Sequence, residues 1–444
     1  MPAAPTIALV TGFYYPDSTG GTEAYVQMLA DGLVDLGYEV AIAAPASEQR
    51  RYTHGGHPVF RYPTDPRPSP AQLQRRAAPT HLGVFTDWLD EVAPDVVHMH
   101  TFNYGCSIYH ARSVHERSIP LFFTMHVPGV TCPRKTLMRW GEVPCDGTFD
   151  VHRCGACCLQ KEGLPRPFAR LAARLTDHSS SLFSRSTHAQ FAHLLARGHE
   201  RTQQLFDLSE RVVVVAHWLR DVLLRNDVSD EKIAVSPHGL PPSSIPHVAN
   251  KKEACSKAPD GPLRIGFVGR FTEVKGVDVL VDAVRQLPED RDVRLHLYGM
   301  TGNDEDVAYL NAIRQRASGD DRVVFEGPLT DENRDAAYAS FDVLAVPSTW
   351  LETGPLVVLE AFAVGIPVVG SNAGGIAERV QDGTGGFLVE PGNLDAWTRA
   401  LDDLATRYRD GAWSWSLPDV RTNADLSRDM NRLYTSVLSP SQCP

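Results

Sequence analysis

Two glutamates stand at an E-x7-E spacing in Glu352-Thr353-Gly354-Pro355-Leu356-Val357-Val358-Leu359-Glu360. Proline at the head of an apolar run starts a helix, so Glu352 falls on the preceding loop and Glu360 inside the helix. Leu356, Val357, Leu359 and Ala361 bury that helix and leave Glu360 as its odd charge. A carboxylate held there accepts paired hydroxyl hydrogen bonds, as a ribose would supply. Upstream, Gly269-Arg270 and Lys275-Gly276 bracket a short turn between a strand and a helix. Two cations, backbone N–H groups and a helix N-terminus meet there, a combination suited to an anion such as a diphosphate. The turn is not a Walker loop: GRFTEVKG has no second glycine before its lysine and no Ser or Thr after it. Gly374-Gly375 and Gly20-Gly21 repeat the glycine turn before a helix and permit close backbone approach. Taken singly, each motif also has a structural reading: a strand-helix turn with solvated cations, or a buried glutamate satisfied by backbone N–H groups.

A second chemical signal is separate from these. Cys132, Cys145, Cys154, Cys157 and Cys158 fall within 27 positions, whereas Cys106, Cys255 and Cys443 are scattered. Two cysteines followed by a C-x-x-C match the ligand count of a tetrahedral structural zinc site, with Cys132, Cys145, Cys154 and Cys157 as ligands. Cys157 is preferred to Cys158 because the C-x-x-C knuckle is the commoner arrangement; disulfides, free thiols and an iron–sulfur cluster are the alternatives. The residues between are loop-like and few are apolar, so the segment is expected to depend on a metal for its order. Just beyond it, Arg166, Arg170 and Arg174 recur at spacings of four, with Phe168, Leu171 and Leu175 on another face. Such a helix could rest on anionic lipid; solvated arginines over a buried face are the commoner explanation.

The elements that carry these residues alternate between strand and helix, the pattern of parallel sheets covered by helices. In the first half, strands are expected at Thr6 to Phe13, Tyr38 to Ala44, Val96 to Met99, Leu121 to Met125, Val212 to Ala216 and Ile233 to Ser236. The alternation lapses between Ile245 and Pro262, which reads as a linker. It restarts with strands at Leu263 to Val268, Val293 to Tyr298, Val323 to Glu326, Val343 to Val346 and Pro367 to Gly370. Expected boundaries are a first doubly wound domain at 1–245 containing the cysteine-rich insertion 132–158, a linker at 246–262, a second doubly wound domain at 263–420, and a C-terminal helix in 421–444 that packs back toward the first domain. Two similar halves imply a ligand cleft between them.

Composition narrows the function. The 444 residues carry 43 Lys+Arg against 54 Asp+Glu, a net charge of -11, so a nucleic-acid partner is not expected. The stretch from Leu356 to Ala377 is broken by Pro367 and several glycines and cannot span a membrane as a helix. MPAAPTIALV lacks the basic start and long apolar core of a signal peptide, and a cytoplasmic location is expected.

In their order and spacing, Gly20-Gly21, Gly269-Arg270, Lys275-Gly276, Glu352, Glu360 and Gly374-Gly375 resemble the retaining family 4 glycosyltransferases. The resemblance covers nearly the whole chain and is most specific from Pro347 to Val389. It implies an α/β protein of the GT-B fold, with two doubly wound Rossmann-like domains facing a central cleft. Many members have Pro-Phe-Gly where this chain has Thr353-Gly354-Pro355, a departure at the contacts to the donor sugar's hydroxyls. The resemblance implies that Arg270 and Lys275 hold and stabilise the diphosphate of a UDP- or GDP-sugar, that Glu360 binds the ribose, and that Glu352 and His126 face the transferred sugar. Gly20, Gly21, Gly269, Gly354, Pro355, Leu356, Gly374 and Gly375 would complete the donor site. No catalytic metal is expected, and Asp304-Glu305-Asp306 reads as the acidic first turn of a helix. The acceptor would be a small molecule, a glycan or a lipid-linked group, with peripheral contact at the inner membrane face as an option. Alternatives are another GT-B enzyme, such as a nucleotide-sugar epimerase or a phosphorylase, and a non-catalytic protein that binds nucleotide sugars or glycans.

Overall fold

The computed structural model describes residues 4–18, 20–73, 77–175, 187–240 and 261–438. It divides into two compact units, one over Met1–His238 and Asn423–Pro444, the other over Gly239–Thr422. Of the expected linker, residues 246–260 lie outside the described residues, as do Cys255 and Cys443.

The first unit is built on an eight-stranded sheet. Its strands are β1 (Thr6–Val10), β2 (Glu39–Ala46), β3 (Arg50–His54), β4 (His57–Pro63), β5 (Val96–Met99), β6 (Leu121–Met125), β9 (Arg211–Val214) and β10 (Ile233–Val235); the short β7 (Met138–Arg139) and β8 (Val143–Pro144) pair separately. The spatial order is β10-β9-β6-β5-β1-β2-β4-β3. Every pairing is parallel except β3 against β4. Helices cover both faces, so the central strands are continuous apolar runs: Ile7 through Val10 are fully buried. Sequence reasoning passed over the β3–β4 hairpin, although Gly55-Gly56, both at positive φ, is a two-residue turn signal.

The helix Asn423–Thr435 belongs to this unit. It lies close against the helix Gly21–Asp35, where a Cβ on Gly32 would stand 1.9 Å from the Ser427 hydroxyl. Side-chain hydrogen bonds secure it: Asn423 Nδ2 donates to the Met28 carbonyl at 2.8 Å, Tyr38 donates to Asn431 Oδ1 at 2.6 Å, Tyr434 Oη meets His98 Nδ1 at 2.6 Å, and the Ser236 hydroxyl donates to Asp429 Oδ2 at 3.1 Å.

The cysteine-rich insertion departs from expectation. Its Trp140 and Ala156 join Leu159, Ala169 and Ala173 of the segment that follows in one apolar cluster, so it does not lack a core. The helices Val151–Lys161 and Arg166–Leu175 supply most of that cluster, because alanines and one leucine let them pack closely under Trp140.

The second unit holds seven strands: β11 (Leu263–Arg270), β12 (Val293–Met300), β13 (Val323–Gly327), β14 (Val343–Val346), β15 (Val368–Ser371), β16 (Gln381–Asp382) and β17 (Gly385–Val389). Their order is β13-β12-β11-β14-β15-β17-β16, with each pairing parallel. Two apolar clusters pack on it, one around Leu295, Val281 and Trp397, the other around Leu344, Phe341 and Phe362. The order reverses between β11 and β14, and such a switch point is where doubly wound sheets bind ligands, outside the carboxyl ends of the strands.

Candidate active site

The carboxyl ends of β11 and β14 bring the motif residues of the second unit together. After β11 the chain turns through the 3-10 segment Glu273–Lys275 into the helix Val277–Gln286. The turn requires glycine at 276: its φ is +64°, and a Cβ would stand 2.1 Å from the Pro347 carbonyl oxygen. That close approach lays Lys275 beside the loop after β14. Lys275 Nζ meets Glu352 Oε1 at 2.6 Å, and the Ser348 hydroxyl donates to the same oxygen at 2.8 Å. Burial by itself would raise the Glu352 carboxyl, but the ammonium of Lys275 and the donated hydrogen bonds outweigh it and hold the group below the ordinary range. Arg270 ends β11 as an exposed guanidinium and forms no ion pair among the described residues.

Glu360 lies in the helix Leu356–Ala363, whose buried side is Val358, Leu359, Ala361 and Phe362. Leu356 and Val357 are only half-buried, so the apolar face is narrower than the sequence suggests. The buried Tyr338 hydroxyl donates to Glu360 Oε2. Burial raises the Glu360 carboxyl, partly offset by Tyr338 and by the nearby Arg334. Sequence reasoning singled out neither: Ser348 lies within the stretch of closest resemblance but not at a residue given a role there, and Tyr338 stands in no motif.

The Gly374-Gly375 turn approaches backbone. The Gly375 N–H donates to the Glu352 carbonyl at 2.6 Å, and a Cβ on Gly374, at φ +53°, would stand 2.6 Å from that oxygen. These glycines therefore seat the Glu352-Thr353-Gly354 segment, and Gly354 itself takes φ +154° ahead of the helix-capping Pro355. Gly269 lies within β11 beside the Phe267 ring. The acidic run Asp304-Glu305-Asp306 opens the helix Asp304–Arg316, capped by Asn303, which accepts from the Asp306 N–H at 2.9 Å.

In the first unit, Gly20 caps the helix Gly21–Asp35 without a side-chain hydrogen bond. Glu23, in the first turn, is buried there and accepts from the Ser18 hydroxyl, so the chain places its own carboxylate at this helix N-terminus. His126 follows β6 inside a group of rings. Its Nε2 is 3.2 Å from His100 Nδ1, the Tyr25 ring meets it edge-on at 4.5 Å, and the His238 ring lies 6.3 Å away at 19°. His98 on β5 and His100 just past its end form an H-x-H, an alternation that was readable in the sequence.

Cys132, Cys145, Cys154, Cys157 and Cys158 line one cavity of about 30 Å³. The C-x-x-C is not a loop knuckle: Cys154, Cys157 and Cys158 all lie on the helix Val151–Lys161, spaced so that one helical face can present them together. Cys157 Sγ accepts from the Trp140 N–H at 3.2 Å. Burial pushes the Cys154 thiol up to about 11 and the Cys158 thiol up to about 12. Among the described residues no three His, Cys, Asp or Glu side chains stand as a ready-made ligand group, so a metal in this cavity would need thiols to turn inward.

Comparison with known proteins agrees with the architecture. Residues 20–239 match the glycosyl transferase 4-like domain, and residues 262–407 match the glycosyl transferases group 1. D-inositol 3-phosphate glycosyltransferase of Stackebrandtia nassauensis is 27% identical over 410 residues, covering 87% of this chain and 79% of that protein. The Corynebacterium aurimucosum protein of the same name is 36% identical over 213 residues, covering 46% of this chain; the match spans half of that relative's length. Among solved structures, sucrose-phosphate synthase from Thermosynechococcus elongatus aligns with a TM-score of 0.61 at 19% identity, over 98% of this chain and 96% of that one. Anabaena HepE in complex with UDP aligns with a TM-score of 0.60 at 16% identity, over 97% of each chain. With both halves matched by glycosyltransferase family models and a Rossmann-like sheet in each unit, the chain belongs to the family 4 glycosyltransferases and has their GT-B fold.

Proposed function

We propose that this enzyme is a retaining glycosyltransferase that moves a sugar from a nucleoside diphosphate sugar, a UDP- or GDP-sugar, to an acceptor hydroxyl. The observation that carries the reading is the Lys275–Glu352 pair at the switch point of the second sheet, with Arg270, which has no ion pair among the described residues, at the end of β11. The donor diphosphate takes Lys275 and Arg270, and Glu360, steadied at one oxygen by Tyr338, offers the other to the ribose. Glu352 then faces the sugar. The bond between the sugar's anomeric carbon and the phosphate oxygen breaks, and the acceptor oxygen attacks from the same face. The acceptor's proton passes to the departing phosphate oxygen. Fixed cations aimed at charge that develops on the leaving group account for most of the catalysis.

His126 contacts the donor sugar from the first unit, which supplies the acceptor surface. UDP-sugars are the first donors to try, because Anabaena HepE is described with UDP-glucose. D-inositol 3-phosphate is the first acceptor to try, because the relatives carry that name. A thermal-shift panel of nucleotide sugars, followed by donor hydrolysis without acceptor, tests the reading: a ligand at 100 times its Kd stabilises by about 2.7 kcal/mol. A binding protein would be stabilised without hydrolysis. A phosphorylase would carry pyridoxal phosphate on a lysine and absorb accordingly, and an epimerase would return an altered nucleotide sugar.

The donor chemistry of the cysteine cavity fits a structural zinc ion held by Cys132, Cys145, Cys154 and Cys157, with Cys158 the competitor for the fourth place. The metal would order the insertion and take no part in the transfer. No helix among the described residues is long and apolar enough to cross a membrane. Peripheral docking on an anionic leaflet from the cytoplasmic side is supported by the helix Arg166–Leu175, where Phe168 is 62% and Leu171 55% exposed beside Arg166, Arg170 and Arg174.

A further inference from the structure

His126 and His100 share one hydrogen bond and a buried setting. His100 directly follows β5 and His126 directly follows β6, neighbouring parallel strands, so the two imidazoles meet beyond the sheet's carboxyl edge with 3.2 Å between His100 Nδ1 and His126 Nε2. Both rings are neutral: burial, reinforced by the neighbouring imidazoles, pushes both pKa values well down. A single proton therefore lies between the two nitrogens, and its placement sets what the far side of each ring can do.

The surroundings decide the placement. His100 Nε2 is buried with no hydrogen-bond partner among the described residues. If His126 donated, neutral His100 would carry its proton on Nε2 and leave a buried N–H with no acceptor, the rarer kind of defect in folded proteins. If His100 donates, Nε2 is a bare lone pair on a ring packed against His98, with 4.2 Å between the ring centroids. His98 does not force the choice, because both its nitrogens face hydroxyls, Tyr434 at 2.6 Å and Thr124 at 2.7 Å, that can donate or accept. The Tyr25 edge and the His238 face hold the His126 ring on its other sides.

We infer that His100 is a positioning residue: its Nδ1–H donates to His126 Nε2 and so fixes His126 as the tautomer that presents Nδ1–H. His126 is then a hydrogen-bond donor toward an oxygen of the donor sugar and has no free lone pair with which to act as a base. This rests on the reading of His126 as a donor-sugar contact.

Two measurements on the full chain test it separately. Long-range proton–nitrogen correlation on protein labelled at histidine, with His126→Ala to assign the signals, should find His126 protonated at Nδ1 and bare at Nε2. Protonation at Nε2 overturns the inference whatever the enzyme does. Kinetics then use UDP-glucose hydrolysis as the probe. His100→Leu should lower kcat by ~100-fold or more with KM within about threefold, the pattern of a lost tautomer constraint. His100→Asn, whose amide N–H can stand where Nδ1–H stood, should recover turnover to within about fivefold of wild type. If His126→Ala abolishes turnover while His100→Leu stays within threefold of wild type, or if Asn is as poor as Leu, the positioning role is overturned. If His126→Ala leaves turnover unchanged, the sugar-contact reading of His126 falls instead, and the tautomer measurement alone decides the pairing.

Discussion

Lys275→Ala perturbs stability and catalysis through the same atom, and the structure gives the size of each effect. Glu352 is 9% exposed at its side chain and Lys275 21%, with 2.6 Å between Nζ and Oε1. Removing the ammonium leaves a buried carboxylate with neutral donors such as Ser348. Breaking a buried pair from one side costs about 3–5 kcal/mol, and the partly exposed lysine points to the low end, about 3 kcal/mol. For a unit the size of Gly239–Thr422, that lowers Tm by roughly 6–12 °C. Glu352→Gln in the same background removes the stranded charge, so the double variant should regain part of the loss, with a coupling energy of about 2 kcal/mol. The pH dependence follows from the depressed carboxyl. Stability contributed by the pair is fully present above the ordinary glutamate value near 4.5 and is lost as pH falls through the lower folded value. The gap between wild type and Lys275→Ala should therefore close in acid. Thermal unfolding of wild type, Lys275→Ala, Glu352→Gln and the double variant at neutral and acidic pH reads all of this, and turnover measured well below each Tm should still fall by more than ~100-fold in Lys275→Ala. An unchanged Tm at neutral pH would refute the buried-pair reasoning, and unchanged turnover would move the diphosphate elsewhere.

Glu360→Gln should mainly weaken binding of the nucleoside diphosphate, and Tyr338→Phe should weaken it less; equal affinities by titration calorimetry would remove Glu360 from the ribose. Elemental analysis of protein purified without chelator should find about one zinc per chain, and Cys154→Ser should release it while leaving nucleotide binding intact. Because the insertion shares an apolar cluster around Trp140 with the helix that follows it, metal loss should raise its protease sensitivity without unfolding the first unit; metal-free, protease-resistant wild-type protein would rule zinc out. Phe168→Ser with Leu171→Ser should reduce co-sedimentation with anionic vesicles and leave that with neutral vesicles at background; equal recovery of variant and wild type would end the membrane assignment.

What the amino-acid order determined by itself was local and repetitive. Strands buried on both faces must be continuous apolar runs, so Val96–Met99, Leu121–Met125 and Val343–Val346 could be read at their observed limits. Glycine and proline punctuate the turns for backbone reasons, which made Gly276 and Pro355 visible as helix starts. The same logic applied to Gly55-Gly56 would have found the β3–β4 hairpin. The partners of the functional groups are another matter. Lys275 meets Glu352 across 77 positions because β14 lies beside β11 while β12 takes its other side, and no spacing rule encodes that sheet order. Tyr338 reaches Glu360 and His100 reaches His126 for the same reason: adjacent elements deliver side chains that are far apart in the chain. The cysteines make the contrast plain, since C-x-x-C has the same spelling in a loop knuckle and on a helix. Only the packing of the helix Val151–Lys161 under Trp140 decided that Cys154, Cys157 and Cys158 are presented from a single helix.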